Sequence, residues 1–211
     1  MVLETHDPED LARIHDDDVQ LVVWRRTLPS AFNQWLADLP PDRLPDGRVL
    51  VDLGHVCPAV ASLIDQARMP AGAMRDTLFL DIVDLAERFA RITGMGRIDI
   101  RLQAIGGRAC WRFHRDRVVA RMLTTYRGMG TDWIAPSDSQ RALDEQAAFA
   151  GPIHRMPEHA VSVFKGDVTD SGQGIVHRSP PVSGDTECRL LLCLNLPFQA
   201  SPSLWSPEET T

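Results

Sequence analysis

Hydrophobic positions change their period once along this chain. From Met74 to Ile92 they recur at helical spacing: Leu78, Ile82, Leu85 and Phe89 make one stripe, joined by Phe79, Val83, Ala86 and Ala90. A stripe that wide predicts a helix lying on a large surface such as a sheet. Phe32, Trp35, Leu36 and Leu39 follow the same spacing after Pro29-Ser30. They stop at Pro40-Pro41, because proline has no amide to donate and restrains the residue before it. A further helix is expected from about Pro58 through Leu63 and Ile64 to Pro70. Short β-branched runs at 19–24 and 49–53 read as early strands.

After Gly94-Met95-Gly96 the period becomes two. Strands are expected at 97–105, 109–113, 118–126, 160–164, 174–177 and 188–196. Glycine turns separate several of them, at Gly106-Gly107, Gly128-Met129-Gly130 and Ser171-Gly172-Gln173-Gly174; one helix, about 139–150, interrupts the series. Helices followed by many short strands predict an α+β fold whose sheet closes into a sandwich or barrel. The expected organisation is a single domain, 1–211, with a mainly helical part at 1–96 packed on a β core at 97–200. A frayed, proline-rich tail follows at 201–211.

Parity along the strands separates two faces. In 188–196 the even positions Leu190, Leu192, Leu194 and Leu196 are apolar, while Arg189, Leu191, Cys193 and Asn195 share the other side. Such a strand suits a barrel whose interior is a site. Burying Arg189 is costly unless a protein or ligand carboxylate pairs with it. The same parity puts Cys110, Arg112, His114 and Asp116 on one face, and Trp111 and Phe113 on the other, where they would meet the 74–92 helix. An imidazole and a carboxylate at i and i+2 can reach one cation. His177, on a later strand, would complete the two-histidine, one-carboxylate set of non-haem Fe(II) oxygenases. The second His-x-Asp, His15-Asp16-Asp17, lies in an acidic leader with no flanking core strand and reads as a decoy.

Composition narrows the function classes. The 211 residues are 44% hydrophobic and 24% charged, which fits a globular domain, and no apolar stretch approaches the roughly 18 residues that cross a bilayer. A net charge of −7 argues against a nucleic-acid partner. The four cysteines (57, 110, 188, 193) include no Cys-x-x-Cys pair, and the start lacks the basic-then-apolar pattern of a signal peptide. A reduced, cytoplasmic protein is therefore expected. Lys165 is the chain's one lysine, so an anion clamp here would use arginine's planar fork.

His114-x-Asp116, His177 and Arg189 together resemble the iron- and 2-oxoglutarate-dependent oxygenases of double-stranded β-helix (jelly-roll, cupin-like) fold. The closing strands resemble those of the prolyl-hydroxylase-like group: there a Phe-containing strand precedes the distal histidine and a Pro-Val turn follows it, as Val161-Ser162-Val163-Phe164 and Pro181-Val182 do here. More closely, Cys110-Trp111-Arg112-Phe113-His114-Arg115-Asp116, Thr125-Tyr126-x-Gly128-x-Gly130-Thr131 and Val176-His177-Arg178-Ser179-Pro180-Pro181 are similar to the bacterial family of domain of unknown function 1826. That likeness spans most of the chain, including Val22-Val23-Trp24.

The resemblance implies a barrel flanked by N-terminal helices, with His114, Asp116 and His177 as the catalytic Fe(II) ligands. Arg189 would anchor the far carboxylate of 2-oxoglutarate, with Arg112 and Tyr126 as further cofactor- or substrate-facing candidates. The implied activity is hydroxylation of a small-molecule or peptide C–H bond, driven by oxidative decarboxylation of 2-oxoglutarate. The fold needs eight strands, so the early strands or the 153–156 stretch would have to supplement the six after residue 96. Two other readings stand beside this one: a cupin-like zinc or manganese protein without 2-oxoglutarate chemistry, and a non-catalytic interaction domain in which the three groups never meet.

Overall fold

Residues 1–106, 110–168, 174–181 and 188–207 are described by a computed structural model. In chain order they form β1 (Val2–Thr5), β2 (Leu21–Trp24), α1 (Ser30–Asp38), β3 (Gly47–Asp52), α2 (Val56–Gln66), α3 (Ala73–Thr93) and β4 (Arg97–Gly106). Then come β5 (Ala120–Arg127), β6 (Asp132–Ile134), α4 (Ser139–Glu145), β7 (His154–Arg155), β8 (Val161–Lys165), β9 (Val176–Arg178) and β10 (Cys188–Asn195). Seven strands make one sheet in the order β1-β2-β8-β5-β10-β4-β3, antiparallel except for the β1–β2 pair. A small antiparallel sheet has the order β7-β6-β9.

Register explains the layers. Leu192 lies opposite Leu102 of β4, and Leu194 lies between Ile100 of β4 and Met122 of β5, so apolar residues of one parity fall on one face. Three helices cover that face, burying Phe32, Leu36, Ile64, Leu78, Leu85 and Phe89 against it. The long helix α3 stops at Gly94, whose φ of 66° is left-handed and cheap only for glycine; the Met95 amide then donates back to the Ala90 carbonyl at 3.2 Å. The opposite face carries Leu21, Val23, Leu123, Phe164, Leu191 and Cys193, and packs on Trp133, Met156 and Ile175 of the small-sheet layer. The result is a mixed α/β protein with helices, a large sheet and a small sheet in succession. Among the described residues no ladder joins the two sheets, so the barrel closure expected from the sequence is not part of what is observed.

Several expectations are corrected. Besides its helices, the stretch 1–96 supplies β1, β2 and β3, including both edges of the large sheet. The acidic leader hides β1 because an edge strand needs few apolar side chains. The 153–156 stretch supplies β7. The described part of 109–113 is not a strand; Trp111 is 44% exposed, and Phe113 packs with Phe149, Ile134, Ala142 and Val176 instead of α3. The helix expected at 139–150 ends at Glu145, and a 3-10 turn continues to Ala148. The tail is docked as far as Pro207: the Trp205 amide donates to the Leu50 carbonyl at 2.7 Å, and its indole lies 6.3 Å from the His55 ring. Gly107, Ala109, Ser171-Gly172-Gln173 and Val182 lie outside the described residues. No described helix is long and apolar enough to cross a membrane.

Candidate metal centre

A single rung of backbone pairing builds the site. The His114 amide donates to the His177 carbonyl and the His177 amide to the His114 carbonyl, both at 3.0 Å. This brings the two imidazoles to a centroid separation of 4.5 Å. Each Nδ1 faces a carbonyl two residues back, Arg112 O at 2.9 Å and Ile175 O at 3.2 Å. A ring nitrogen facing a carbonyl oxygen carries the proton, which leaves each neutral ring's lone pair on Nε2. Both Nε2 atoms face Asp116, at 3.6 Å from Oδ1 for His114 and 3.3 Å from Oδ2 for His177.

Lone pairs aimed at a carboxylate repel it unless a proton or a cation intervenes. The three ligand atoms lie within 4.8 Å of one another. Bonds of about 2.0–2.2 Å to one ion place neighbouring ligand atoms roughly 3.0–3.5 Å apart, so this set fits a single divalent ion with little movement. His15, of the second His-x-Asp, contacts the Ile92 carbonyl at 2.6 Å and takes no part.

The supports of the site fix its electrostatics. Burial works against the Asp116 carboxylate, but hydrogen bonding from His114 and His177 and the charge of Arg121 outweigh it and hold its pKa far below the usual range. Contact with Asp116 raises the His114 pKa, against the effect of burial. Arg121 binds Asp116 Oδ2 through Nη1 and donates through Nε to Asn195 Oδ1 at 2.6 Å, which ties the acid to β10. Gln146 replaces a missing strand neighbour: it accepts from the Phe113 amide at 3.0 Å and donates to the Phe113 carbonyl at 2.9 Å.

Gly166 lets the end of β8 come against the loop that carries Asp116. A Cβ there would meet the Val118 carbonyl at 1.9 Å and the Asp116 carbonyl at 2.7 Å. Gly166→Ala should therefore displace Asp116 and weaken Co(II) binding by at least about tenfold, comparable to the loss of a supporting group. A spectrophotometric Co(II) titration checks this, with unchanged affinity as the contrary result.

Arg189 is 2% exposed, and among the described residues its Nε and Nη1 have no hydrogen-bond partner. Among those residues only Nη2 has partners, at 3.4 Å from the Thr125 and Thr131 hydroxyls. Burial pushes its pKa down to about 10, with Asp132 opposing and Arg155 adding to the shift. Asp132 is itself engaged by Arg155 at 2.8 Å and Arg178 at 3.4 Å. Gly128, at φ 84°, leaves room for the Arg189 stem, which a Cβ would approach to 2.9 Å. Thr131 links Arg189 to the metal site: it lines a cavity of about 200 Å³ together with His114, Asp116 and His177.

Two sequence candidates fall elsewhere. Arg112 is exposed and lies 5.3 Å over the Trp111 ring. Tyr126 is buried on the helix side, where its hydroxyl donates to Asp81 Oδ2 at 2.6 Å beside Arg26. Parity already separated it from Thr125, since neighbours on a strand point to opposite faces. Tyr126→Phe is expected to cost about 1.5–3 kcal/mol of stability, the range for a hydrogen bond to a charged group, and to leave metal binding intact; urea unfolding measures the first. The sequence reading missed Arg121 and Gln146. Arg121 shares the parity of Leu123 and Thr125 and was findable on that ground. Nothing local marks Gln146.

Two facing sheets and a convergent His–Asp–His group define a candidate metal-binding protein of mixed α/β fold. The chain belongs to the family described as Protein of unknown function (DUF1826), whose profile matches residues 5–195. No curated protein sequence matches it.

Among solved structures it is similar to a full-length Neurospora crassa protein in complex with alpha-KG, at 14% identity and TM-score 0.43, covering 92% of this chain and 82% of that one. It is also similar to the Kdo hydroxylase KdoO, a non-heme Fe(II) alphaketoglutarate dependent dioxygenase in complex with cobalt(II). That match has 10% identity, TM-score 0.47, and coverage of 93% and 88%. A third is a Pseudomonas putida prolyl-4-hydroxylase, at 15% identity and TM-score 0.34, covering 81% of this chain and 94% of that one. Likenesses this distant do not bear on activity; the side chains of the site do.

Proposed function

We propose that this protein is a non-haem Fe(II)- and 2-oxoglutarate-dependent oxygenase that hydroxylates a C–H bond of a small substrate. One observation carries the reading: a His–Asp–His group lines a cavity, and Thr131 of the same cavity wall lies 3.4 Å from a buried, under-bonded guanidinium, that of Arg189. The three ligands alone would serve zinc or manganese equally well. Arg189 favours 2-oxoglutarate, because a buried guanidinium with two idle donors is costly until a carboxylate accepts from it.

His114, Asp116 and His177 would hold the metal, His114 being the ligand on the open side. Iron with 2-oxoglutarate and dioxygen supplies oxidative decarboxylation coupled to C–H hydroxylation. Arg121 keeps Asp116 ionised and in position, and Arg189 receives the far carboxylate of the cosubstrate. Leu123, Leu191 and Cys193 line the cavity with apolar surface that limits water. The two facing sheets fit the jelly-roll architecture that this chemistry implies.

The test is anaerobic titration of 2-oxoglutarate into Fe(II)-loaded protein. A visible charge-transfer band is expected, followed by slow succinate formation when oxygen is admitted. Metal binding without a band at saturating 2-oxoglutarate would reject the reading and leave a metal protein of other chemistry.

A further inference from the structure

We infer that Arg101, assisted by Arg48, binds an anionic group of the substrate, a carboxylate or a phosphate, on the β3–β4 wall of the cavity. This assignment takes the word substrate from the oxygenase reading; the anion site itself stands on separate observations. Arg48 and Arg101 lie directly opposite each other across the β3–β4 ladder, and both line the cavity that holds the metal centre. Like charges so placed destabilise an antiparallel pair.

Arg48 is answered: its Nε and Nη2 donate to Asp99 at 2.9 and 2.6 Å, and its guanidinium lies 5.1 Å from the Phe198 ring. Arg121 is answered by Asp116 and Asn195. Arg101 is exposed and makes no ion pair or hydrogen bond among the described residues. Gln103, the next residue on the same face of β4, also lines the cavity and has donors to offer. In a chain of net charge −7, a cavity lined by three arginines with one of them uncommitted is a concentration of positive charge that a ligand anion would complete.

Arg101 is not a second hold on the cosubstrate. On β10, Arg189 is opposite Ile105 of β4, whereas Arg101 is opposite Cys193, four residues further along. At about 3.3 Å per residue the two backbone positions are roughly 13 Å apart, and Arg101 lines the cavity whereas Arg189 lies behind Thr131. Arg189 and Arg101 are two separate anion positions.

Calorimetric titration of phenyl phosphate, benzoate and benzyl alcohol into Co(II)- and 2-oxoglutarate-loaded protein tests this. The anions should bind at least tenfold more tightly than the alcohol, and the tighter of the two sorts phosphate from carboxylate recognition. Arg101→Gln should weaken the preferred anion at least tenfold and leave Co(II) content and the thermal midpoint at or above those of the parent, since it relieves a like-charge pair. Equal anion affinity in parent and Arg101→Gln, or no preference over benzyl alcohol, would overturn the anion site and leave the oxygenase reading untouched. Arg101-dependent anion binding in a protein whose Fe(II) form gives no band with 2-oxoglutarate would uphold the anion site and overturn its assignment to an oxygenase substrate.

Discussion

His177→Ala should bind Fe(II) or Co(II) at least ~100-fold more weakly than the parent, at or beyond the upper end of what loss of a mere supporting group costs. Asp116→Ala should do the same. Both effects follow from a set of three ligand atoms within 4.8 Å that has no fourth protein donor in the group among the described residues. Metal analysis of protein purified without chelators, repeated on each variant, reads the result. Equal metal content in His177→Ala and parent would place the centre elsewhere.

Asp116 and His114 contribute to the metal-free fold with opposite pH dependence. Asp116 has a depressed pKa, so its contribution to stability is present above the unfolded carboxylate value of about 3.9 and is lost as pH falls through the lower folded value. His114 has a raised pKa; its contribution is complete below about 6.5 and is lost as pH rises through the folded value. The metal requires neutral imidazole, so the stabilisation it confers should instead grow as pH rises through that range. Thermal melts of loaded and stripped protein between pH 5 and pH 8 should therefore diverge towards the alkaline end.

Arg189→Met carries the second large effect, with opposite signs in two measurements. Removing one partner of a buried charge-assisted pair typically costs about 2–5 kcal/mol. The 2-oxoglutarate dissociation constant should thus rise by roughly 30-fold to a few thousandfold, read from the charge-transfer band. Without cosubstrate the same change removes a buried charge with two idle donors and substitutes an apolar side chain of similar length. Stability should hold or rise by about 1–3 kcal/mol. A variant that loses stability and keeps its cosubstrate affinity would make Arg189 a structural partner of Asp132 instead.

The parts of the site that were legible in the sequence are those governed by parity. Leu190, Leu192 and Leu194 went to the helices, and Leu191, Cys193 and Asn195 to the cavity, because alternation on a well-paired central strand leaves no other choice. His114, Asp116 and His177 were brought together as their motif implied, although not on the strand expected. The stretch before His114 is held by one rung with His177, by the Ser179 amide on the Cys110 carbonyl and by the Gln146 side chain, a long-range arrangement with no local pattern. Arg112 was misplaced for the same reason, since parity has no meaning where there is no ladder. Tyr126 was misjudged in spite of parity: its neighbour Thr125 touches Arg189, and the adjacent residue must point away. Val2–Thr5 was hidden by its acidic surroundings, and the tail by its prolines.

Holding His114 by one rung and isolated hydrogen bonds on either side, in place of a ladder, has a kinetic consequence. A ligand embedded in a full ladder is freed only when the sheet comes apart, whereas this arm opens when a few scattered hydrogen bonds break. Ion exchange should then proceed through local fluctuation, at a rate insensitive to low concentrations of urea, long before the large sheet gives way.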